Sequence, residues 1–270
     1  MTISAADVKR LRLKTGVGLM DCKKALKESE GNIEAAEKFL REKGVISASK
    51  KADRSANEGK VFIALKQNRG VIVEINCETD FVSNNDAFQA FGDQVVNLLL
   101  AHPSISSAED AKALSINGTT LSQLTSELVL KLGENIQLGQ IKHLSATGAL
   151  ASYIHLNGKI GVLVTFSGAI NDELSKDIAM HVAATSPQFL SRDDVPDSVK
   201  ESEREIICNQ LKNEGKPADL VEKIAMGKLN KFFKEICLLN QPFVKDDKKS
   251  IEQILPNSVK IESFARFSLV

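Results

Sequence analysis

The spacing of apolar residues in the first 46 positions predicts three short helices. A capping box at Ser4–Asp7 begins the first helix, and the sequence TGVG at Thr15–Gly18 ends it. Apolar side chains recur at helical spacing in the next two segments, which a Gly-Asn pair separates. We expect Gly44 to end the third helix. Residues 1–46 are therefore interpreted as a three-helix module.

The stretch that follows, residues 47–58, has no apolar periodicity and is small, polar and basic. This composition favours a solvated linker. The alternative is a phosphate-binding patch formed by Lys50, Lys51 and Arg54, although a run of surface charges is usually only hydrated.

A pattern of strand, turn, strand and helix begins near Gly59 and occurs twice. Apolar residues alternate on both sides of the turn sequences Asn68–Gly70 and Asn157–Gly158, which is typical of β-hairpins. Each hairpin precedes an amphipathic helical segment that ends near a proline. Between the two copies, we expect residues 106–144 to be helical, with a stop at Gly133–Asn135.

The first copy of this pattern is longer than the second. Gly70 and Gly161, which open the second strands, are 91 positions apart. Pro103 and Pro187, which follow the helices, are only 84 apart, so the first copy is seven residues longer. We assign the additional length to the polar connection CETDFVSNND, Cys77–Asp86. A loop longer than its duplicate requires is a candidate contact site.

Phe81 in this connection has two interpretations, which the residues alone leave open. The ring could fold back as a plug on the local core. It could instead be an exposed contact residue, since aromatic side chains often dominate interfaces.

After Pro187 the chain becomes strongly charged, and two segments with apolar stripes are joined by a turn at Gly215 and Pro217. A helical hairpin this polar does not form a core, so we expect it to protrude. The final residues, VKIESFARFSLV, predict a strand. The sequence thus predicts an α+β protein whose core is a repeated β-β-α unit with antiparallel sheets. Its parts are a three-helix module (1–46), a linker (47–58), the two β-β-α copies and a helical hairpin (189–238).

Composition narrows the classes of function. The 270-residue chain has 35 basic and 35 acidic side chains, and a formal net charge of zero argues against a bulk nucleic-acid binder. Its apolar runs are too short to span a membrane, and its first residues lack the apolar region of a secretory signal. The four cysteines form no CxxC pair, as is typical of reduced thiols. We expect a cytoplasmic protein with no membrane or direct nucleic-acid partner.

The sequence contains few candidates for enzymatic chemistry. Histidine spacings and glycine motifs predict neither a metal site nor a nucleotide cofactor. Cys77, between a strand and a helix start, could be a nucleophile, but a small buried side chain on an alternating strand is the favoured interpretation. Asp80 is interpreted as a loop or helix-capping residue rather than an acid–base partner of Glu78. From its position alone, His155 is a surface imidazole without a role. We expect no catalytic residue and no enzymatic activity.

Four stretches resemble bacterial elongation factor Ts, the family of guanine-nucleotide exchange factors for elongation factor Tu. They are VKRLRLKTGVGLMDCKKAL, NCETDFVSNNDAFQAF, IAMHVAA and EKIAMGKLNKFFKEICLLNQPFV. The resemblance runs in order from about Ile3 to Phe267. It implies that residues 1–46 are a ubiquitin-associated-like (UBA-like) module that docks on the GTPase. It also implies that the two copies are core subdomains, the first at residues 59–142 and the second at residues 143–188 and 239–270. The charged hairpin (189–238) would then be the protruding coiled-coil insertion of the family.

The resemblance further implies which residues contact elongation factor Tu. In the family, a Thr-Asp-Phe-Val motif inserts its phenylalanine between helices of the GTPase near the Mg²⁺–phosphate site. The matching residues here are Thr79, Asp80, Phe81 and Val82. A Ser-Tyr-x-His motif that contacts the same domain matches Ser152, Tyr153 and His155, which overturns the interpretation of His155 as a residue without a role. The remaining matches are Lys23, on the docking surface of the module, and Val244, at a late helical contact.

The implied mechanism needs no covalent bond and no cofactor: the factor weakens GDP binding, and GTP then displaces it. Two alternatives stay open, a ubiquitin-like-binding adaptor indifferent to Phe81 and a thiol enzyme that uses Cys77. The chain ends at Val270, where longer members of the family continue into a helix that also touches the GTPase, so we expect a smaller contact area. The resemblance leaves both a homodimer and a two-to-two complex open.

Overall fold

Three N-terminal helices pack around one apolar cluster in the computed structural model, which describes residues 3–270 and every side chain among them except those of residues 218 and 219. The helices are α1 (Ala5–Thr15), α2 (Leu19–Glu28) and α3 (Ile33–Lys51). The side chain of Ser4 caps α1 by accepting a hydrogen bond from the Asp7 backbone, which confirms the predicted helix start. The cluster consists of Val8, Leu11, Val17, Cys22, Ala25, Leu26, Ala36 and Leu40.

The next part of the chain builds a three-stranded antiparallel sheet in the order β1-β2-β5. Its elements are β1 (Glu58–Lys66), β2 (Arg69–Cys77), α4 (Asp80–Ser83), α5 (Asp86–Ala101), α6 (Ala108–Ala111), β3 (Ser115–Ile116), β4 (Thr119–Thr120), α7 (Leu121–Leu132) and β5 (Gln137–Ser145). Helices α5 and α7 cover one face of this sheet.

The last part of the chain builds a second antiparallel sheet, in the order β10-β7-β6. Its elements are β6 (Leu150–His155), a 3₁₀ turn (Leu156–Gly158), β7 (Ile160–Phe166), α8 (Asp172–Thr185), α9 (Asp197–Asn213), α10 (Ala218–Ile236), a second 3₁₀ turn (Leu238–Asn240), β8 (Pro242–Phe243), β9 (Asp246–Ser250), α11 (Ile251–Ile254) and β10 (Ile261–Ser268). Helix α8 covers one face of this sheet, so the chain is an α+β protein.

The charged segment after Pro187 forms the two helices α9 and α10, which pack on each other. Ile207, Leu211, Val221 and Ala225 are buried between them. A second cluster, which includes Phe189, Val195, Phe233 and Ile236, lies at the base of this helical hairpin. Among residues 3–270, no helix is long and apolar enough to cross a lipid bilayer.

The third N-terminal helix is longer than the sequence predicts. Because α3 continues through Gly44 to Lys51, the expectations that Gly44 ends it and that residues 47–51 belong to a linker are wrong. The reason is close packing against α7, since a Cβ at Gly44 would lie 3.1 Å from the carbonyl oxygen of Ser126. Only residues 52–57 connect the module to β1.

The expectation of helix throughout residues 106–144 is wrong for its last part, which is β5. Leu138 and Ile141, three residues apart, suggest a helical face. In the structure they oppose Ile75 and Val73, which are two residues apart on β2. A bulge in β5 absorbs the extra residue and keeps both side chains on the face covered by α5 and α7. Helical spacing and a bulged strand therefore give the same local pattern.

The predicted turns lie close to their expected positions. The first hairpin turns at Gln67 and Asn68, so that Arg69 and Gly70 already belong to β2. The second turns at Leu156–Gly158, where all three residues have a positive φ. Gly133, in the left-handed conformation with a φ of 83°, ends α7 as predicted.

The two sheets pack against each other through the faces that the helices leave free. Val61, Ile72, Leu144, Leu163, Ala265 and Phe267 form the cluster between them. The central strands β2 and β7 are therefore buried on both faces, which explains their nearly continuous apolar sequences. This packing brings the turn after β6 close to the connection after β2.

Gly161 of β7 marks the closest approach of the sheets. A Cβ at this position would lie 2.3 Å from Val61 Cγ1. We expect Gly161→Ala to lower the free energy of unfolding by roughly 1–3 kcal/mol, as overpacking does. The measurement is chemical denaturation followed by circular dichroism. Gly227→Ala is the control, because apart from its chain neighbours and the adjacent backbone of its own helix no described atom lies within 4 Å of its Cβ position, and this helical alanine should stabilise by about 0.5–1 kcal/mol. Equal stability of Gly161→Ala and wild type would contradict the sheet packing.

Candidate functional site

The connection CETDFVSNND folds into the single helical turn α4 on the protein surface. Thr79 caps the turn, with its Oγ1 accepting a hydrogen bond from the Val82 N–H at 3.4 Å. Val82 is buried beneath the turn, whereas the Phe81 side chain is 85% exposed. The interpretation of Phe81 as a plug on the local core is therefore wrong. A phenylalanine held in water on an ordered turn gives up the gain of burial, which favours a contact with a partner.

The structure also shows which of the two residues Thr79 and Asp80 caps the helical turn. The cap is Thr79, so the alternative of Asp80 as the capping residue is wrong. Asp80 is the first residue of α4, and its carboxylate is exposed. Its carbonyl oxygen accepts hydrogen bonds from Ser83 Oγ at 3.0 Å and from Asn84 Nδ2 at 2.9 Å.

Two carboxylates fix the start of the turn. The Glu134 carboxylate accepts hydrogen bonds from the backbone N–H groups of Glu78 (3.1 Å) and Thr79 (3.0 Å) and from Thr79 Oγ1 (2.6 Å). In return, the Glu78 carboxylate accepts a 2.7 Å hydrogen bond from the Asn135 N–H. The loop after α7 therefore holds the turn that carries Phe81. Sequence reasoning treats Glu134 only as part of a helix stop, because no local pattern indicates a partner 55 residues away.

The extra length of the first copy is distributed differently from the prediction. The connection after β2 comprises residues 78–85, and the one after β7 comprises residues 167–171. The loop thus accounts for about three of the seven extra residues, and the assignment of all seven to it is wrong. The rest lie in β2, with 9 residues against 7 in β7, and in α5, with 16 against 14 in α8. With these three extra residues, the connection after β2 is long enough to contain the four-residue turn α4.

Tyr153 and His155 point to the same side of the edge strand β6, where alternate residues share a face. The Tyr153 hydroxyl and His155 Nδ1 are 3.0 Å apart and hydrogen-bonded, and their rings stack with centroids 5.8 Å apart. Tyr153 packs on the core between β7 and α8, whereas His155 is exposed. The apolar neighbours Ile154 and Leu156 are also exposed. Tyr153 therefore orients the exposed imidazole of His155.

The structure brings the Phe81 turn and the end of β6 together. Asn84, directly after α4, accepts a 2.7 Å hydrogen bond at its Oδ1 from Asn157 Nδ2. Asn157 lies in the turn that follows His155. Two motifs more than 70 residues apart thus form one surface, which we call the contact end, defined by Phe81, Asp80, Tyr153 and His155.

Lys23 and Val244 lie on other elements. Lys23 is exposed on α2 of the N-terminal module. Val244 is exposed in the turn between β8 and β9 rather than in a helix, and its contact with elongation factor Tu stays a prediction. Its N–H donates to Nδ1 of the buried His181 on α8, at 3.3 Å.

Comparison with known proteins identifies the family. Residues 78–270 match the family model described as Elongation factor TS. The chain is also 43% identical to elongation factor Ts of Halothermothrix orenii, over an alignment of 277 residues that covers 100% of this chain and 93% of the relative. The chain belongs to the elongation factor Ts family. This confirms the resemblance seen in the sequence, and at the family level it identifies a nucleotide-exchange factor of translation elongation.

The matched part of the elongation factor Ts family model begins at Glu78, immediately before the Thr79–Val82 turn. It includes Tyr153, His155 and Val244, whereas Lys23 lies outside the matched residues. The contact end as a whole therefore falls within the part of the chain that matches the family model.

Cys77 is the remaining candidate for chemistry in this member of the elongation factor Ts family. Its thiol is buried and donates to the Thr79 carbonyl at 3.2 Å. Burial, reinforced by the Glu134 carboxylate, raises the pKa of the Cys77 thiol to about 12. These observations favour the structural interpretation and argue against a thiol enzyme. Among the side chains that the structure describes, no group of three or more His, Cys, Asp or Glu residues is suited to hold a metal ion.

We expect Cys77 to resist alkylation in the native protein. A thiol with a pKa near 12 is only about 1 in 10⁴ thiolate at pH 8, and this fraction rises as the pH approaches the pKa. Cys208, on α9, is partly exposed and should react first with iodoacetamide, as read by peptide mass mapping. Cys77→Ser should keep full exchange activity. Rapid alkylation of Cys77 before Cys208 would contradict this account.

Proposed function

We propose that this chain is the guanine-nucleotide exchange factor of elongation factor Tu and that the Phe81 side chain is its main contact with the nucleotide-binding domain. The observation that carries the proposal is an 85% exposed phenylalanine on a turn whose start is held by three hydrogen bonds to one carboxylate. Membership of the elongation factor Ts family supplies the partner.

The ring inserts between helices of the GTPase close to the Mg²⁺–phosphate site. Burying a phenylalanine gains about 1.5–3 kcal/mol, and because the turn is already ordered, little of this gain is lost in fixing the loop. Mg²⁺ is the largest local charge in such a site, so displacing the elements that orient this ion weakens the binding of GDP. GTP then binds the open site and displaces the factor.

The other residues of the contact end extend the interface. The exposed Asp80 carboxylate accepts hydrogen bonds from the GTPase, and His155, oriented by Tyr153, contacts the same domain. Thr79 and Val82 hold the turn in shape from inside. Lys23, on the UBA-like module, and Val244, beside α8, provide separate contacts at a distance from the nucleotide. No covalent bond forms at any step, so the chain is not an enzyme in the bond-making sense.

Release of a fluorescent GDP analogue from elongation factor Tu, followed by stopped flow at increasing concentrations of this chain, tests the proposal. We expect the release rate to rise with factor concentration and to saturate at a value far above the spontaneous rate. An unchanged release rate at all concentrations would overturn the proposal. Binding to a ubiquitin-like protein in the same preparation would then favour the adaptor alternative.

A further inference from the structure

A chain of hydrogen bonds crosses the seam between the two sheets beside the contact end, with a buried lysine at one end and two exposed asparagines after it. The Lys60 Nζ, on β1, donates to Asn157 Oδ1 at 3.3 Å. Asn157 Nδ2 donates to Asn84 Oδ1 at 2.7 Å, and Asn84 Nδ2 donates to the Asp80 carbonyl at 2.9 Å. We call Lys60, Asn157 and Asn84 the amide relay. It joins the first sheet, the turn of the second sheet and the helical turn that carries Phe81.

The direction of the relay is fixed by its two ends. The Lys60 ammonium has only donors, and the Asp80 carbonyl has only acceptor positions. Each asparagine between them must therefore accept on the Lys60 side and donate on the Asp80 side. A carboxylate at either asparagine position cannot do both, although it has the same shape.

The surroundings show that the relay is built into the fold. Lys60 is only 6% exposed, and its donation to the Asn157 amide oxygen offsets part of the cost of burying the ammonium group. The glycine after Asn157, Gly158, has a φ of 92°, and a Cβ there would lie 3.0 Å from the Lys60 side chain. Asn157 itself has a φ of 53°, a left-handed conformation that asparagine tolerates better than most residues. Leu156, the residue before Asn157, also has a positive φ, of 50°, which is uncommon for a bulky residue.

We infer that Asn84 and Asn157 are positioning residues of the exchange reaction, which lock the Phe81 turn and the Tyr153–His155 strand into one rigid surface. The inference rests on the proposed exchange function. Without the relay, the two halves of the contact end are carried by different sheets and change their relative position more easily. The partner must then order them on binding, which weakens the complex.

Asn157→Asp is the first test. The carboxylate introduced by this substitution still accepts from Lys60, and aspartate tolerates the left-handed backbone, so the fold is kept. The same carboxylate cannot donate to Asn84 Oδ1. If the Asn84 amide turns over to donate to the carboxylate, it loses its bond to the Asp80 carbonyl. We expect the factor concentration for half-maximal GDP release to rise fivefold or more, with a melting temperature no lower than that of the wild type, because the new carboxylate also pairs with the Lys60 ammonium.

Asn117→Asp is the matched control. Asn117 occupies the turn between β3 and β4, is followed by a glycine and has a φ of 51°, but it lies outside the contact end. The same change of charge in the same backbone conformation should leave GDP release as it is in the wild type.

Asn84→Ala tests whether the bonds act in series. This substitution removes the Asn84 amide and both of its hydrogen bonds in the relay. It leaves the hydrogen bond between Lys60 and Asn157 in place. Asn84→Ala alone should weaken exchange as Asn157→Asp does, and the double variant should be no weaker than either single variant. Independent structural effects would instead multiply.

The outcomes separate this inference from the function on which it rests. No acceleration by the wild type would overturn the exchange function and the inference with it. Acceleration by the wild type, with equal half-maximal concentrations for Asn157→Asp and Asn117→Asp, would overturn the inference alone. Multiplicative effects in the double variant would overturn the relay as a single positioning device.

Discussion

Replacing Phe81 with alanine is expected to slow factor-stimulated GDP release at least tenfold without changing the stability of the free chain. The ring is 85% exposed, so its removal leaves no cavity in the folded protein. In the complex, burying the ring gains a free energy of about 1.5–3 kcal/mol. We expect this energy to stabilise the state from which GDP is released, so its loss corresponds to a release rate roughly 10- to 150-fold lower. Stopped-flow GDP release and thermal unfolding are measured on the same preparation.

Met226→Ala is the matched control for Phe81→Ala. Met226 is also a large apolar side chain, 65% exposed, but it lies on α10 of the helical hairpin. Its substitution should leave the GDP release rate unchanged. Equal acceleration by wild type and Phe81→Ala would mean that the exposed ring has no part in exchange.

Replacing Glu134 with alanine is expected to slow exchange about tenfold although Glu134 makes no contact with the partner in our proposal. Its carboxylate accepts three hydrogen bonds from Glu78 and Thr79, and its removal leaves two backbone N–H groups to find other partners. Each hydrogen bond to a charged group contributes about 1.5–3 kcal/mol, and a lost partner at a half-buried site costs somewhat less. The turn would then be disordered, and binding would have to order it.

Two variants test the reason for that loss. Glu134→Gln keeps an oxygen for the two backbone N–H groups and should retain most of the activity. Glu262→Ala removes a carboxylate on β10 of the second sheet that accepts in a similar way from the N–H and Oγ1 of Thr147, in the connection between β5 and β6. It should lower the melting temperature without changing the exchange rate. A full-activity Glu134→Ala variant would show that the carboxylate does not hold the Phe81 turn for exchange.

Local sequence patterns predict the parts of this fold that depend on near neighbours. The Ser4 cap, the Gly133 stop and the two hairpins each need only a few adjacent residues, and all appear in the structure. Where a distant element decides, the local pattern misleads. Gly44 looks like a helix end, yet it is the point where α7 packs closely on α3. Leu138 and Ile141 have helical spacing, yet they lie on strand β5, where a bulge opposite β2 accounts for that spacing.

The candidate site divides in the same way. Resemblance to a family indicates Phe81, Tyr153 and His155, but the residues alone leave open whether the Phe81 ring is a plug or an exposed contact. The turn that presents it is held by the Glu134 carboxylate, which is distant in sequence. The amide relay is also invisible in sequence, because it joins Lys60, Asn84 and Asn157 across the seam of two sheets.

Exchange requires that this chain bind nucleotide-free elongation factor Tu more tightly than the GDP-bound form, because only a difference in affinity can shift the nucleotide equilibrium. The two affinities are measured by titrating a fluorescently labelled chain with each form of the GTPase at the same ionic strength. We predict binding to the nucleotide-free form at least 100-fold tighter, or about 2.7 kcal/mol, with GDP affinity reduced by the same factor when the chain is bound. Equal affinity for the two forms would contradict the exchange function.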